Sequence, residues 1–246
     1  MATVSEALQL ATQYHRANRF LQAGQVYRKV LGSSPHQPDA LCGLGALAQQ
    51  AGEYDSAQQL FERAVRAHPE SVKAWFGLGN LHQVRGKFDD AVEAYKRAIA
   101  LAPNLVAAYN NLGYTLQQQG EWERAIATYQ KALELQPDCP EADVNLANAL
   151  YAREKLPPER QGDYAMANAQ LGQTCQKAGD VVTAVAYYRQ ALALNPGLAI
   201  AHYSLGNALH AQGKFEEALD SYKQAAELNP SDTELRDFLE IYRFAL

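Results

Sequence analysis

The chain has 246 residues, 48% of them hydrophobic and 20% charged, with a net charge of −5 and an isoelectric point near 5.7. The hydrophobic content is ample for a core, while the acidic balance argues against a nucleic-acid backbone or an anionic membrane as the main target, since both need clustered Lys and Arg. Cys42, Cys139 and Cys175 form no C-x-x-C pair and are odd in number, which fits a reducing, cytoplasmic setting better than a disulfide framework or a metal site.

Taken in chain order, the N-terminus lacks the basic region and apolar run of a signal peptide and enters a helical pattern almost at once. No stretch approaches the ~18 apolar residues of a membrane span, so no membrane insertion is expected. From Val4 the sequence repeats with a period of 34, in units beginning at Val4, Pro38, Val72 and Val106. The eighth place reads Ala11, Gly45, Gly79, Gly113, and the twentieth reads Ala23, Ala57, Ala91, Ala125. The twenty-fourth is aromatic, Tyr27, Phe61, Tyr95, Tyr129, and the thirty-second is Pro35, Pro69, Pro103, Pro137.

The fourth unit shows what each unit is. Tyr109, Leu112, Gly113 and Leu116 stand at i, i+3, i+4 and i+7, the spacing of one helical face, and Gly120 ends that helix. Ala125, Tyr129 and Ala132 mark a second helix, and Pro137 closes the unit. Small residues at places eight and twenty let two helices approach closely, and the aromatic at place twenty-four fills the space between neighbouring pairs. One pair cannot bury both its faces, so the pairs must stack.

The period then breaks. Pro140 to Ala152 reads as another first helix, with Leu146, Ala147 and Leu150 in the core places, but no second helix comes after it. Leu156 precedes two prolines, which disfavours helix there, and Pro158 suits the first turn of a helix running through Ala165 towards Lys177. The insertion, 140–164, is 25 residues long and predicts an unpaired or rearranged helix with a Pro-rich turn. Units resume at Ala165 and Ala199 with Gly172, Ala184, Tyr188, Pro196 and then Gly206, Ala218, Tyr222, Pro230. Residues 233–246 predict a capping helix in which Leu235, Phe238, Leu239 and Tyr242 cover the last unit. Ile241, Phe244 and Leu246 lie off that stripe, as either a wide apolar stripe or frayed end, or a self-association surface or contact with a further domain.

The small, aromatic and proline places resemble the tetratricopeptide repeat (TPR) family in six full units. The resemblance implies an all-α, right-handed TPR superhelix, an αα solenoid of about fourteen helices. Its organisation would be four TPR units over 4–139, the insertion over 140–164, two units over 165–232 and the cap over 233–246. Stability in such an array is roughly a sum of repeat and nearest-neighbour terms.

Candidate catalytic features read as structural. Gly43 to Ala48 fits G-x-G-x-x-A but falls within a helical pattern rather than after a strand, which points to helix packing. Asp89/Asp90 and Glu216/Glu217 fall at the starts of second helices, where negative charge complements the macrodipole. None of the six histidines forms an i, i+4 pair or stands beside a nucleophile. No cofactor, metal site or enzymatic activity is expected.

The remaining signal lies on the face of the first helices not used for packing, at places two, five, nine and twelve with six and thirteen along its edge. In the TPR family this stripe lines the concave groove. The predicted groove residues are Phe76, Asn80 and Gln83; Asn110, Asn111, Tyr114 and Gln117; Asn145, Asn148 and Tyr151; and Gln173, Tyr203 and Asn207. Side-chain amides carry donor and acceptor together, so a row of them can satisfy the main chain of an extended peptide, with aromatics as anchors. Lys73 and Asn80 match the carboxylate-gripping repeats of chaperone partners only in part, and the other basic members are missing. The recurring Asn and the NNLG run at Asn110–Gly113 look more like the repeats of O-linked N-acetylglucosamine transferases and related bacterial proteins. The expected function is a non-catalytic protein-interaction scaffold binding an extended polypeptide in its groove. Two alternatives stay open, a substrate-recruiting region of a larger glycosyltransferase or methyltransferase and a structural assembly subunit.

Overall fold

A computed structural model of the chain describes residues 3–232 together with Leu235 and Leu239. The rest of the expected closing helix, including Ile241, Phe244 and Leu246, lies outside the described residues. Among those described there are thirteen helices: α1 (Val4–Arg16), α2 (Phe20–Ser33), α3 (Pro38–Gln50), α4 (Tyr54–Ala67), α5 (Val72–Val84), α6 (Phe88–Leu101), α7 (Val106–Gln118), α8 (Trp122–Leu135), α9 (Pro140–Ala152), α10 (Pro158–Lys177), α11 (Val181–Leu194), α12 (Ala199–Ala211) and α13 (Phe215–Leu228). The architecture is an all-α solenoid of stacked helical hairpins. It divides into two compact units, one running to Asp138 and the other starting at Cys139.

In the first unit α1 to α8 form four hairpins. Each first helix stops by the same device, shown by α7. Gly120 adopts φ +77°, in the left-handed region that a Cβ disfavours, and the Glu121 N–H then reaches back to the Leu116 carbonyl at 2.9 Å. The turn is therefore short enough for α8 to fold directly back on α7. Asn18 takes the equivalent place after α1, with φ 57°.

The hairpins close tightly because their contact places carry almost no side chain. Ala23, Ala57, Ala91 and Ala125 of the second helices are wholly buried. On the first helices the glycines of place eight lie against the aromatic ring of place twenty-four: a Cβ on Gly113 would stand 2.6 Å from Tyr129 Cε1, and one on Gly79 only 2.5 Å from Tyr95 Cε1. Where place six is also glycine, the ring touches the following hairpin too, since a Cβ on Gly77 would stand 2.3 Å from Phe61 Cε1. The aromatic thus fills space inside its own hairpin as well as between hairpins.

In the second unit α10/α11 and α12/α13 repeat this arrangement, with a Cβ on Gly172 falling 2.8 Å from Tyr188 Cε1 and one on Gly206 falling 2.6 Å from Tyr222 Cε1. Helix α9 ends like the other first helices: Glu154 takes φ 56° and the Lys155 N–H bonds to the Leu150 carbonyl at 2.8 Å. Beyond that turn the chain departs from the repeat. Pro157 and Pro158 delay the next helix, and α10, 20 residues long with Pro158 in its first turn, runs without interruption into the register of the next first helix. Helix α9 has no second helix of its own, but it is not left bare. Val144 and Ala147 pack with Leu156, Tyr164, Ala165 and Leu194, so the Pro-rich turn is anchored through Leu156 and the buried face of α9 is covered by α10 and the end of α11.

The close ring contact makes stability sensitive to a single methyl group. Gly113→Ala overpacks the buried Tyr129 ring and should lower stability by about 1–3 kcal/mol, whereas Gly162→Ala in α10, with nothing within 4 Å of the added methyl, should raise it by about 0.5–1 kcal/mol; chemical unfolding of both variants checks the contrast. Glu154→Gly relieves a left-handed residue and should stabilise by about 0.5–1 kcal/mol after the extra chain entropy of glycine is offset. Asn18→Gly should gain less, because Asn tolerates that conformation. Equal melting shifts for the two would show that Glu154 carries no particular strain.

Candidate functional site

The outward stripe of the first helices is governed by the core tyrosines beneath it. Tyr95 is wholly buried, and a buried hydroxyl needs a partner. It finds two acceptors on α5, Asn80 Oδ1 and Gln83 Oε1, each 2.8 Å away. Burial drives the Tyr95 pKa up, with a smaller opposing effect from Asn111, so the group stays a donor. Asn111 Nδ2 donates to the same Asn80 oxygen at 2.9 Å, and the buried Thr115 donates to Gln83 Oε1 at 3.2 Å. One repeat on, Tyr129 donates to Gln117 Oε1 at 3.3 Å. The Asn80 carbonyl oxygen is thus taken by two donors. Phe76 rests on Tyr95, with ring centroids 5.9 Å apart, while Asn110 is half-buried and Tyr114 exposed on α7.

The second unit uses the same device. Tyr188 donates to Gln176 Oε1 at 2.9 Å and Tyr222 to Asn207 Oδ1 at 2.8 Å, and Tyr203 lies on Tyr222 at 5.8 Å. Helix α9 differs. Asn148 and Asn168 exchange two hydrogen bonds of 3.1 Å, and Asn148 also donates to Gln190 Oε1 at 2.9 Å. Asn168, with no exposed surface, spends its other N–H on the Tyr164 carbonyl at 2.8 Å. The Tyr151 hydroxyl donates to the Ala193 carbonyl at 2.9 Å, and Tyr164 donates to Asp143 at 3.1 Å. Asn148 and Tyr151 therefore tie α9 to α10 and α11. Asn145, on the same helix, is half-buried.

Concave spaces open on this face in both units among the described residues. In the first there is a groove of about 760 Å³ along α1, α3 and α5, which includes Phe76 and Asn80 and has Gly43 and Gly77 beside the Tyr27 and Phe61 rings. Lys73 is ion-paired there with Asp39. The Cys42 thiol also borders the groove, but burial and then Asp39 push its pKa up to about 11, keeping it protonated at neutral pH. In the second unit a cleft of about 440 Å³ lies between α10 and α12 and brings together Gln173, Tyr203 and Asn207 with Gln176, Lys177 and Ile200. Asn110, Asn111, Tyr114 and Gln117 run along α7 outside the groove of the first unit.

Sequence reasoning did not find the tyrosine–amide bonds, Asn168 or Lys177. Asn168 did carry a signal: it occupies a place filled by Trp75, Tyr109 and His202 in other units. Gly43 and Gly45, the glycines of the dinucleotide-like motif, sit in α3 against Tyr27 and Phe61 respectively. Among the described residues no group of three or more His, Cys, Asp or Glu could hold a metal ion, and no helix is long and apolar enough to cross a membrane.

Family models described as tetratricopeptide repeat match residues 42–106, 106–139 and 199–232, and one described as TPR repeat matches 172–213, together more than half of the chain. A comparison with curated proteins finds no match. Among solved structures the chain is similar to the pilF protein of Pseudomonas aeruginosa, with a TM-score of 0.60, 18% identity and 96% of each chain covered. It is similar also to a tetratricopeptide repeat protein from Parabacteroides merdae, with a TM-score of 0.57, 14% identity and 98% of each chain covered. YrrB, described as a TPR protein with an unusual peptide-binding site, matches with a TM-score of 0.50 and 17% identity over 89% of this chain and 98% of that one. At these identities the likeness is one of fold.

The α9 attachment makes a direct prediction. Asn168→Ala strips Asn148 of both a donor and an acceptor in a buried setting and should cost about 1–3 kcal/mol. Combining it with Asn148→Ala should cost less than the sum of the two, and an additive cycle in urea unfolding would mean the pair is not coupled.

Proposed function

The chain belongs to the tetratricopeptide repeat family, and from that premise we propose that it is a non-catalytic scaffold that holds an extended polypeptide along the concave faces of its first helices. Repeats of this family are in general protein-interaction scaffolds. One observation carries the finer reading: the core tyrosine hydroxyls occupy the carbonyl oxygens of Asn80, Gln83, Gln117, Gln176 and Asn207. What these amides retain for a ligand is their NH2 donors. An extended chain presents unpaired carbonyls that such donors suit whatever its sequence. Half-buried Phe76 and the exposed Tyr203, each braced on a core tyrosine, supply rigid apolar surface beside the donors. Asn110, Asn111 and Tyr114 extend the row in the first unit, and Gln173 joins it in the second. Asn148 and Tyr151 fasten α9, and with Asn145 they contribute to the row only by position.

The unusual peptide-binding site described for YrrB is compatible with this reading through the shared fold. Lys73 is already paired with Asp39. Beyond that pair, Arg16 in one cleft and Lys177 in the other are the Lys, Arg, Asp or Glu side chains among the lining residues, so affinity should fall only modestly with added salt, as one solvent-exposed ion pair would.

The test exploits isosteric substitution. Asn207→Asp and Asn80→Asp keep an oxygen for the tyrosine hydroxyl while replacing the outward donor by an acceptor. Against peptides selected from a displayed library of unstructured sequences, each variant should lose about tenfold in affinity with unchanged helical content and unfolding midpoint. Glu93→Ala, on an exposed position of a second helix, should leave binding intact. Peptides that bind equally well to both Asp variants but lose affinity on changes at Glu93 or Arg97 would overturn the assignment, as would a library that yields no binder.

A further inference from the structure

The cleft of the second unit has a chemistry more specific than a row of amide donors. Its α12 wall carries two open apolar side chains, Ile200 (55% exposed) and Tyr203 (44% exposed), next to the polar Ser204 and Asn207. Its α10 wall is polar, with Gln173, Gln176 and Lys177. No carboxylate is among its described lining residues, and Lys177, in the last turn of α10, has no ion-pair or hydrogen-bond partner among the described residues. Lys29, Arg66, Lys87, Arg97 and Lys214 likewise show no ion pair among the described residues; what sets Lys177 apart is its place in this cleft, whereas Lys73 in the groove of the first unit is paired with Asp39.

The groove of the first unit has the same feature at the same repeat place. Arg16, twelve residues after Val4 as Lys177 is twelve after Ala165, borders that groove unpaired among the described residues, while Asp39 and Lys73 neutralise one another. A chain of net charge −5 therefore places, in each of these two clefts, a cation without a carboxylate partner among the described residues. A cation in a helix's last turn does favour the macrodipole, but that needs no adjoining apolar wall and would not leave both clefts without a free carboxylate.

We propose that the α10/α12 cleft recognises an extended segment in which an apolar side chain is followed by Asp or Glu, the apolar group seated on Ile200 and Tyr203 and the carboxylate paired with Lys177. This deepens the polypeptide reading and rests on it. Asn207 also lines the cleft, and with its oxygen taken by the Tyr222 hydroxyl its NH2 is the group left for the main chain of such a segment. Charge complementarity selects the acidic residue. The exposed Ile and Tyr select the apolar one, and a uniformly charged segment would leave them uncovered.

The test titrates isotope-labelled protein with Gly/Ser peptides carrying a central Leu-Asp, Leu-Asn, Ser-Asp or Leu-Lys, following chemical shifts of both units. Leu-Asp is expected to bind about tenfold more tightly than Leu-Lys or Ser-Asp, with the shifts centred on α10 and α12. Lys177→Gln should erase the preference for Asp over Asn, and Ile200→Ser the preference for Leu over Ser, without changing the unfolding midpoint. If Leu-Asp and Leu-Asn bind this cleft equally and Lys177→Gln changes nothing, the acidic–apolar specificity is wrong while polypeptide binding stands. If no peptide perturbs either concave space, both fail.

Discussion

Five of the six described helical hairpins depend on an aromatic ring lying directly on a glycine backbone. At Gly79, Gly113, Gly172 and Gly206 a single added carbon would fall 2.5 to 2.8 Å from the nearest tyrosine ring atom, closer than carbon atoms approach without displacement. That contact sets the separation of the two helices in each such hairpin, and the wholly buried alanines of place twenty make the same separation necessary from the other side. A hairpin held so tightly leaves no tolerance for larger residues.

The same contact reaches the surface. A ring pressed on the first helix has to place its hydroxyl somewhere, and it places it among the amides on that helix's outward face. Because a buried hydroxyl must donate, it takes the amide oxygen and leaves the amide nitrogen. The engagement of these amide oxygens is thus a by-product of core packing. A phenylalanine in that place, as at Phe61, supplies the packing without the hydroxyl, and the groove of the first unit beside it is built from glycine and ring instead.

The second unit shows what happens when a repeat loses its second helix. Helix α9 still ends in the hairpin turn, with Glu154 forced into a conformation that glycine holds elsewhere. The two prolines then send the chain on instead of back. Without the alanine and tyrosine of a partner helix, α9 relies on a small apolar cluster and on paired amides, Asn148 with Asn168, that are satisfied by one another and by their neighbours. Polar attachment of this kind specifies one arrangement strongly, since any slip would leave buried hydrogen-bonding groups unpaired.

The sequence by itself determined the all-α solenoid, because period, glycine stops and prolines act locally on the backbone and recur in register from Gly45 to Gly206. It also marked the outward stripe, since helical spacing alone says which side chains share a face. Tertiary structure decided which members of that stripe are spent internally: Asn148 and Tyr151 fasten α9, while Asn80 and Asn207 each give one side of the amide to a tyrosine. It likewise decided that Lys177 shares a cleft with Ile200 and Tyr203. Such outcomes depend on which atoms of separate helices come within hydrogen-bond reach, and a periodic pattern fixes the face of a side chain without fixing its partner.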